Sequence, residues 1–281
     1  MATKIPLHPY NAERNYEKLL LSYVKGMEAA TEKRLKELQL LRKDDNEMLS
    51  KIDGWSDDLT AVMLSLLERF LSAGQAVTIR LPEIYAQVNQ WQDSQWRLVV
   101  KAGTGIDIGP AASVNASHAT MSSPGAIRAR FGVGVDVYRT EPWLAELQTN
   151  WVAANSALIK SIPTQYMAQV EQTIRAGVLA GESPKSLAAK IQKVGGVSEN
   201  RAKLISADQI SKANGELNKY RQQDLGIKDY IWKTSRDERV RPLHQARQDQ
   251  EFSWSKPPSD GHPGMPIRCR CYAAAIFPPE P

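Results

Sequence analysis

The side chains best suited to bind a metal lie together near the end of the chain. Of the four His and two Cys among the 281 residues, two His and both Cys lie between Trp232 and Cys271. Residues two apart on a strand point to the same face, so the thiolates of Cys269 and Cys271 can converge on one ion. With two imidazoles they make a sulfur and nitrogen donor set that zinc favours. Zinc is therefore the candidate cofactor, and its candidate ligands are His244, His262, Cys269 and Cys271.

The spacing of the two cysteines leaves a second interpretation open. Structural zinc sites use C-x2-4-C more often than the C-x-C of this chain. In the alternative, Cys269 and Cys271 are reduced thiols packed in a small core, and the two histidines lie in loops. A disulfide between these cysteines is disfavoured, because an extended C-x-C segment holds the Cα atoms farther apart than disulfide geometry prefers.

Arginines and aromatic residues alternate in the same stretch. Guanidinium groups beside aromatic rings suit a surface that contacts phosphates and stacks on bases. They also suit ion pairs inside a small domain, for example from Arg239 or Arg241 to Asp249 or Asp260. Candidate contacts to nucleic acid or to a partner protein are Arg236, Arg239, Arg241, Arg268 and Arg270.

A catalytic interpretation of this stretch has less support. Asp237, Glu238 and His244 are residue types that a nuclease uses as acid, base and metal ligand. The chain has no H-E-x-x-H, nucleophile-elbow or Walker motif, and Asp237 has a simpler role as an acceptor for backbone N–H groups in a turn. The sequence therefore predicts no catalytic residues, no enzyme activity and no small-molecule substrate.

Helices are the main elements that must position these residues. Apolar side chains recur at spacings of three and four, and they predict helices over 12–41 and 57–74 and another from Pro82. Helix returns at Pro142. We expect a break at Pro163, a helix over 165–180, a helix from Ser183 that stops at Gly195, and a last helix from Ser198 to about Asp224.

Strands are expected only near the end, where residues 230–234 alternate and residues 266–277 form a final strand. The predicted fold class is α+β, mainly α, with a helical N-terminal half, a Gly-rich connection, and a long helix followed by a small α+β C-terminal module. The corresponding domains are a helical region over 1–100, a Gly/Ala/Ser-rich arm or linker over 101–140, and a domain over 141–281. This last domain divides into helices over 141–225 and a β-containing module over 226–281.

Composition limits the classes of function. The net charge is only +5, from 36 Lys and Arg against 31 Asp and Glu, which permits but does not demand a nucleic-acid partner. No run of about 18 apolar residues is present, so no membrane-spanning helix is expected. Two cysteines fit a reducing compartment.

Several short motifs from Trp143 to Phe277 resemble the phage head morphogenesis family, the Mu F-like minor head proteins of tailed phages. The resemblance depends on the order and spacing of the motifs more than on any single one. One departure is Ser206, which stands where the family commonly has a basic residue. The matching segments are 155–159, 201–209, G-I-x-x-Y-x-W-x-T-S-x-D-E-R-V-R-x-x-H over 226–244, G-H-P-G over 261–264 and C-R-C over 269–271.

The resemblance implies a minor head (capsid) protein of a tailed bacteriophage. Such a protein acts in procapsid assembly at or near the portal and in DNA packaging or ejection. The implied partners are the portal, scaffold or major capsid protein and phage DNA, with no membrane partner. The implied location is the interior of the virion head, after assembly in the host cytoplasm. Two alternatives remain: a zinc-stabilised DNA-binding protein of the virion interior, and a hydrolase or transferase.

Overall fold

A computed structural model describes residues 8–38, 55–110 and 141–277. Of these residues 71% are helical, and they include one small antiparallel sheet, which confirms the predicted mainly-α, α+β class. The helices are α1 (Tyr10–Glu37), α2 (Trp55–Ile79), α3 (Leu81–Thr104), α4 (Leu144–Leu179), α5 (Pro184–Asp224) and α6 (Pro242–Ala246). The strands are β1 (Asp229–Lys233), β2 (Glu251–Ser253) and β3 (Tyr272–Ala275).

The chain divides into two compact units, and neither is continuous in sequence. The helical unit comprises Arg14–Leu81 and Val152–Ser206. The sheet unit comprises Met1–Glu13, Pro82–Trp151 and Ala207–Pro281. These units differ from the linear division into 1–100, 101–140 and 141–281, because residues of the first hundred group with residues far along the chain. Residues 111–140 of the expected arm lie outside the described residues.

Polar side chains of the helical unit join helices that are distant in sequence. Tyr23 donates a hydrogen bond of 2.7 Å from its hydroxyl to the carbonyl oxygen of Phe70, linking α1 to α2. Tyr16 donates to the Asn155 side chain at 2.8 Å, linking α1 to α4. Arg201 of α5 reaches Ser161 of α4, also at 2.8 Å. These contacts hold the four helical segments around a core that their apolar stripes fill.

Three expected helix ends are wrong. The helix expected to break at Pro163 continues through it as part of α4, and its apolar face stays buried on both sides, at Ile162 and Tyr166. Packing of that face therefore outweighs the hydrogen bond that proline removes. The other two expected ends, at Gly74 and Gly195, lie inside α2 and α5.

The two glycines inside helices allow close approach between elements. A Cβ atom at Gly195 would lie 2.6 Å from a carboxylate oxygen of Glu28 on α1. At Gly74 it would lie 3.1 Å from the hydroxyl oxygen of Tyr23. In both places glycine leaves room for a side chain of α1, so neither ends a helix. Since the helix does not stop at Gly195, the expected start of a separate last helix at Ser198 is also wrong.

The helical stretch Ser56–Thr104 is long and apolar enough, by length and composition alone, to cross a membrane. The core helix of a soluble protein meets the same criterion. The apolar face of α2 is buried inside the helical unit, at Leu59, Val62, Met63, Leu66 and Phe70. That the chain has no spanning helix stays a prediction.

The sheet of the sheet unit has the order β2-β1-β3, with both pairs antiparallel. Strand β1 matches the expected strand closely, and Tyr230 and Trp232 on it are fully buried. The final strand is shorter than expected, because β3 begins only after Cys271. An apolar cluster joins α3 to the segment that leads into β1. Its buried residues are Trp96, Val100, Ile108, Leu225 and Ile227.

Replacing Leu66 by Asp should destabilise the helical unit by about 3–5 kcal/mol, because a charge without a partner would replace a buried side chain. Leu64 on the same helix is 58% exposed, so Leu64→Asp is a matched control with an expected cost within about 0.5 kcal/mol. Chemical denaturation of both variants measures the two costs. Equal costs would contradict the assignment of the buried face of α2.

Candidate functional site

The C-terminal half of α5 holds the sheet in place through side-chain amides. Asn218 and Gln222 both donate to the carbonyl oxygen of Ala273 on β3, at 2.8 and 2.9 Å. The Gln222 side chain also accepts a hydrogen bond of 3.1 Å from the indole of Trp254. One helix face therefore fixes β3 and the residue that follows β2.

The loop between Gly261 and Cys271 lies against an earlier part of the same helix. Asp208 accepts a 3.0 Å hydrogen bond from the backbone N–H of Arg268. A Cβ atom at Gly215 would lie 2.9 Å from the carbonyl oxygen of Pro263. Gly264 has φ +88°, which L-residues rarely adopt. Glycines at both positions allow the backbone of the loop to lie directly on α5, and this fixes the approach to the two cysteines.

Three of the four predicted metal ligands come together. His244 is on α6, which begins with Pro242, and its Nδ1 atom lies 3.6 Å from the Sγ atoms of both Cys269 and Cys271. The donor atoms of the three residues all lie within 4.8 Å of one another. The residues are only 2%, 3% and 6% exposed, and both cysteines are free. We call these three residues the Cys–His cluster.

His262 is not part of this cluster, so its assignment as a fourth ligand there is corrected. Its Nδ1 atom forms a 2.9 Å hydrogen bond with the hydroxyl of Tyr230. Its ring lies 4.8 Å, centre to centre, from the ring of Trp254. The aromatic residues of the sheet thus hold this imidazole in a separate buried position. Burial is the largest influence on its pKa and lowers it, and the charge of Lys219 acts in the same direction.

A carboxylate orients the imidazole of the Cys–His cluster. The Nε2 atom of His244 lies 2.9 Å from an oxygen of Asp260, and Arg247 donates to the other oxygen at 2.6 Å. The Arg247 guanidinium lies 4.9 Å from the ring centre of Trp232, whose own ring meets His244 edge-on at 5.2 Å. When Asp260 accepts the Nε2 proton, the lone pair of Nδ1 faces the two sulfurs.

The pKa values of the two thiols in the cluster are shifted in opposite directions. A hydrogen bond from Cys271 is the largest influence on Cys269 and lowers its pKa, and backbone N–H groups of Gly264 and Cys271 add to this effect against the opposing effect of burial. The same interaction raises the pKa of Cys271. Cys269 is therefore the more acidic thiol of the pair.

The five candidate contact arginines separate into two groups. Arg270 is structural, because it donates to Asp237 and to the hydroxyl of Tyr10 and its side chain is only 13% exposed. The exposed ones are Arg236, Arg239, Arg241 and Arg268. The expected pairs with Asp249 or Asp260 do not form at Arg239 or Arg241: Arg239 pairs with Asp237, and Arg241 donates to the carbonyl oxygen of Ile267.

Asp237 has the turn role that the sequence predicts. Its carboxylate accepts a 3.0 Å hydrogen bond from the backbone N–H of Arg239 and pairs with Arg270. Arg270 lowers the pKa of this carboxyl, together with the backbone N–H, although burial is the largest single influence and acts in the opposite direction. Asp237 is therefore a carboxylate engaged in ion pairing.

The N-terminal residues near this site were missed at the sequence level. A cavity of about 320 Å³ is lined by the Cys–His cluster, by four arginines and by Glu13, which also contacts His8. Asp260 and Asp208 were missed in these roles too. Nothing in the local sequence around Tyr10 and Glu13 pairs them with residues some 250 positions later, so no sequence signal could have found them.

Part of the chain, which includes the Cys–His cluster, matches a known family. Residues 168–274 match the model of the family described as Phage Mu protein F like protein. The match confirms that this segment resembles the Mu F-like proteins, as the sequence motifs predict.

A relative from Haemophilus influenzae, called "Uncharacterized protein", is 38% identical over 163 residues, which are 57% of this chain and 36% of that protein. The chain thus covers about a third of the length of this curated relative. No solved structure matches the chain.

Neutral His262 should make the stability of the sheet unit depend on pH. Because its pKa is lower in the folded state than the ordinary value of 6.5, its neutral form contributes fully above that value and the contribution is lost as pH falls below it. We expect the free energy of unfolding to fall less with acidification in His262→Gln than in the unmodified protein. Denaturation at pH 8, where both side chains are neutral, gives the packing cost alone. An identical pH dependence in the two proteins would contradict this account.

Proposed function

We propose that the protein is a minor head protein of a tailed bacteriophage that joins the procapsid at or near the portal and assists DNA packaging or ejection. The match of residues 168–274 to the Mu F-like family carries this proposal. The match supports a location in the virion head. We propose that the protein lies in the head interior, after assembly in the host cytoplasm.

The structure supports a binding role through the surface of the matched segment. The exposed arginines lie in and around the turns of the sheet unit, where they can reach an acidic partner surface or a phosphate backbone. Portal, scaffold and major capsid proteins are the candidate partners. Asp208 of α5 holds the backbone at Arg268, which fixes one of these turns.

The experiment co-expresses the full chain separately with the portal, the scaffold and the major capsid protein of the same genome. We expect co-purification with the portal, and presence of the chain in sedimented procapsids. The chain expressed alone is the control, and it should stay at the top of the gradient. Absence of the co-expressed chain from both procapsids and filled heads would overturn the proposal.

A DNA-binding role in the virion interior is the second candidate, and the exposed arginines are the observation that favours it. Arg239→Gln/Arg241→Gln/Arg268→Gln removes three charges around one cavity. We expect the slope of log K against log salt for duplex DNA to fall by up to about 2.7, from about 0.9 for each lost phosphate contact.

The matched control is Lys185→Gln/Lys193→Gln/Lys203→Gln, which removes three exposed charges from α5. We expect this control to leave the salt slope unchanged. An equal fall in both triple variants would show that only total charge matters and would contradict a specific arginine surface.

We propose further that Asp237 is structural and that the chain is not a hydrolase or transferase. Asp237→Asn should lower stability by about 1 kcal/mol or less, because a partly exposed ion pair is weakened. Exposed Glu238→Gln is the control, with no expected change. Denaturation and assays for nuclease and ADP-ribosyl transfer check this. An activity that disappears in folded Asp237→Asn would contradict it.

A further inference from the structure

The spacing of donor atoms in the Cys–His cluster fits one tetrahedral metal ion. Zinc bonds of about 2.3 Å to sulfur and about 2.0–2.1 Å to nitrogen place sulfur and nitrogen about 3.6 Å apart in a tetrahedron. The Nδ1 atom of His244 lies 3.6 Å from each of the two sulfurs. Both sulfur–nitrogen separations therefore match those around one tetrahedral ion, and the two sulfurs lie within 4.8 Å of each other.

The surroundings of the imidazole match those of a metal-bound histidine. A histidine ligand usually donates its second N–H to a carboxylate, which fixes the ring and its tautomer. Asp260 has this position at Nε2 of His244, and Arg247 holds Asp260 in turn. Asp260 and Arg247 thus hold the ring with Nδ1 toward the two sulfurs, which is the orientation that a metal ligand needs.

The donor types select zinc, and the cavity defines the fourth position. Two thiolates and one imidazole form a donor set that zinc uses, and sites with three protein ligands keep one position for solvent. His262 does not fill this position, because it is bonded to Tyr230. All three donors instead line the cavity of about 320 Å³, whose other lining residues include Glu13, Arg239, Arg241, Arg268 and Arg270.

We propose that His244, Cys269 and Cys271 bind one zinc ion through Nδ1 and two Sγ atoms, with a water molecule in the fourth position that faces the arginine-lined cavity. Zinc joins α6 to the segment just before β3, two elements far apart in sequence. The arginines make the cavity attractive to anions, so a small anion can replace the water. This inference goes beyond the role in the head and does not depend on it.

The first test is elemental analysis of the reduced full chain, purified without chelator and equilibrated with zinc. We expect about one zinc per chain, and its loss in His244→Gln, Cys269→Ser and Cys271→Ser. His262→Gln is the matched control and should keep the zinc. A metal-free wild type would overturn the proposal, and so would loss of zinc in His262→Gln equal to that in His244→Gln.

Two further measurements keep the proposal testable where a ligand variant fails to fold. Asp260→Asn keeps all three ligands, and we expect it to bind zinc roughly 10- to 100-fold more weakly. Chelation of the wild type should lower its thermal unfolding midpoint, and added zinc should restore the midpoint. An unchanged affinity in Asp260→Asn, or an unfolding midpoint unaffected by chelation, would overturn the proposed site.

The fourth coordination position, proposed to hold water, can be tested with cobalt in place of zinc. Tetrahedral cobalt bound by two thiolates absorbs in the visible range, and the sulfur-to-cobalt charge-transfer band should weaken in each single Cys→Ser variant that still binds. Added azide should shift the cobalt spectrum of the wild type, because it replaces water. A spectrum insensitive to azide would show a closed site and overturn the open position.

Discussion

The sheet unit depends on a set of hydrogen bonds from one face of α5 to the backbone of a very small sheet. Strands of five, three and four residues cannot form a stable sheet by themselves. Asn218 and Gln222 supply the missing constraint, because both donate to a single carbonyl oxygen of β3. Asp208 constrains the loop that carries Cys269, because its carboxylate accepts a hydrogen bond from the backbone N–H of Arg268. The positions of β3 and of the loop that carries Cys269 therefore depend on one helix.

That helix is itself fixed by a buried ion pair. Arg221 donates to both oxygens of Glu141, at 2.7 and 2.8 Å, and to Asn89 at 2.6 Å, and the side chains of the ion pair are each only 1% exposed. Burying two charges costs free energy that their attraction only partly returns, so the pair adds little net stability. Its geometry is specific, however, because a guanidinium must meet a carboxylate in one plane. The pair thus sets where α3, the segment at Glu141 and α5 meet inside the sheet unit.

The sequence allowed good prediction where one periodic pattern decides the structure. The apolar stripe of α2 and the alternation in β1 were predictable, because burial of one face determines both. Pro163 and Gly195 were not, because their effect depends on neighbours that the local sequence does not contain: the buried face at Tyr166 and the side chain of Glu28. The site followed the same rule. Cys269 and Cys271 were predicted together from their spacing, whereas His262 was assigned to them by residue type alone. The hydroxyl of Tyr230 provides a nearer partner for His262.

One cavity takes part in both the proposed zinc site and the proposed arginine contact surface, and the arrangement of charges around it explains why. A bound zinc with two thiolate ligands is formally neutral, so the arginines around the cavity are not neutralised by the metal site. Arg270 is held by Asp237, which leaves Arg239, Arg241 and Arg268 to face solvent. Arg268 directly precedes Cys269, and its backbone N–H is bonded to Asp208. Any interaction that fixes Cys269 therefore also fixes the backbone from which this guanidinium extends. The proposed metal site and the proposed partner contact would then be linked through the backbone of two adjacent residues.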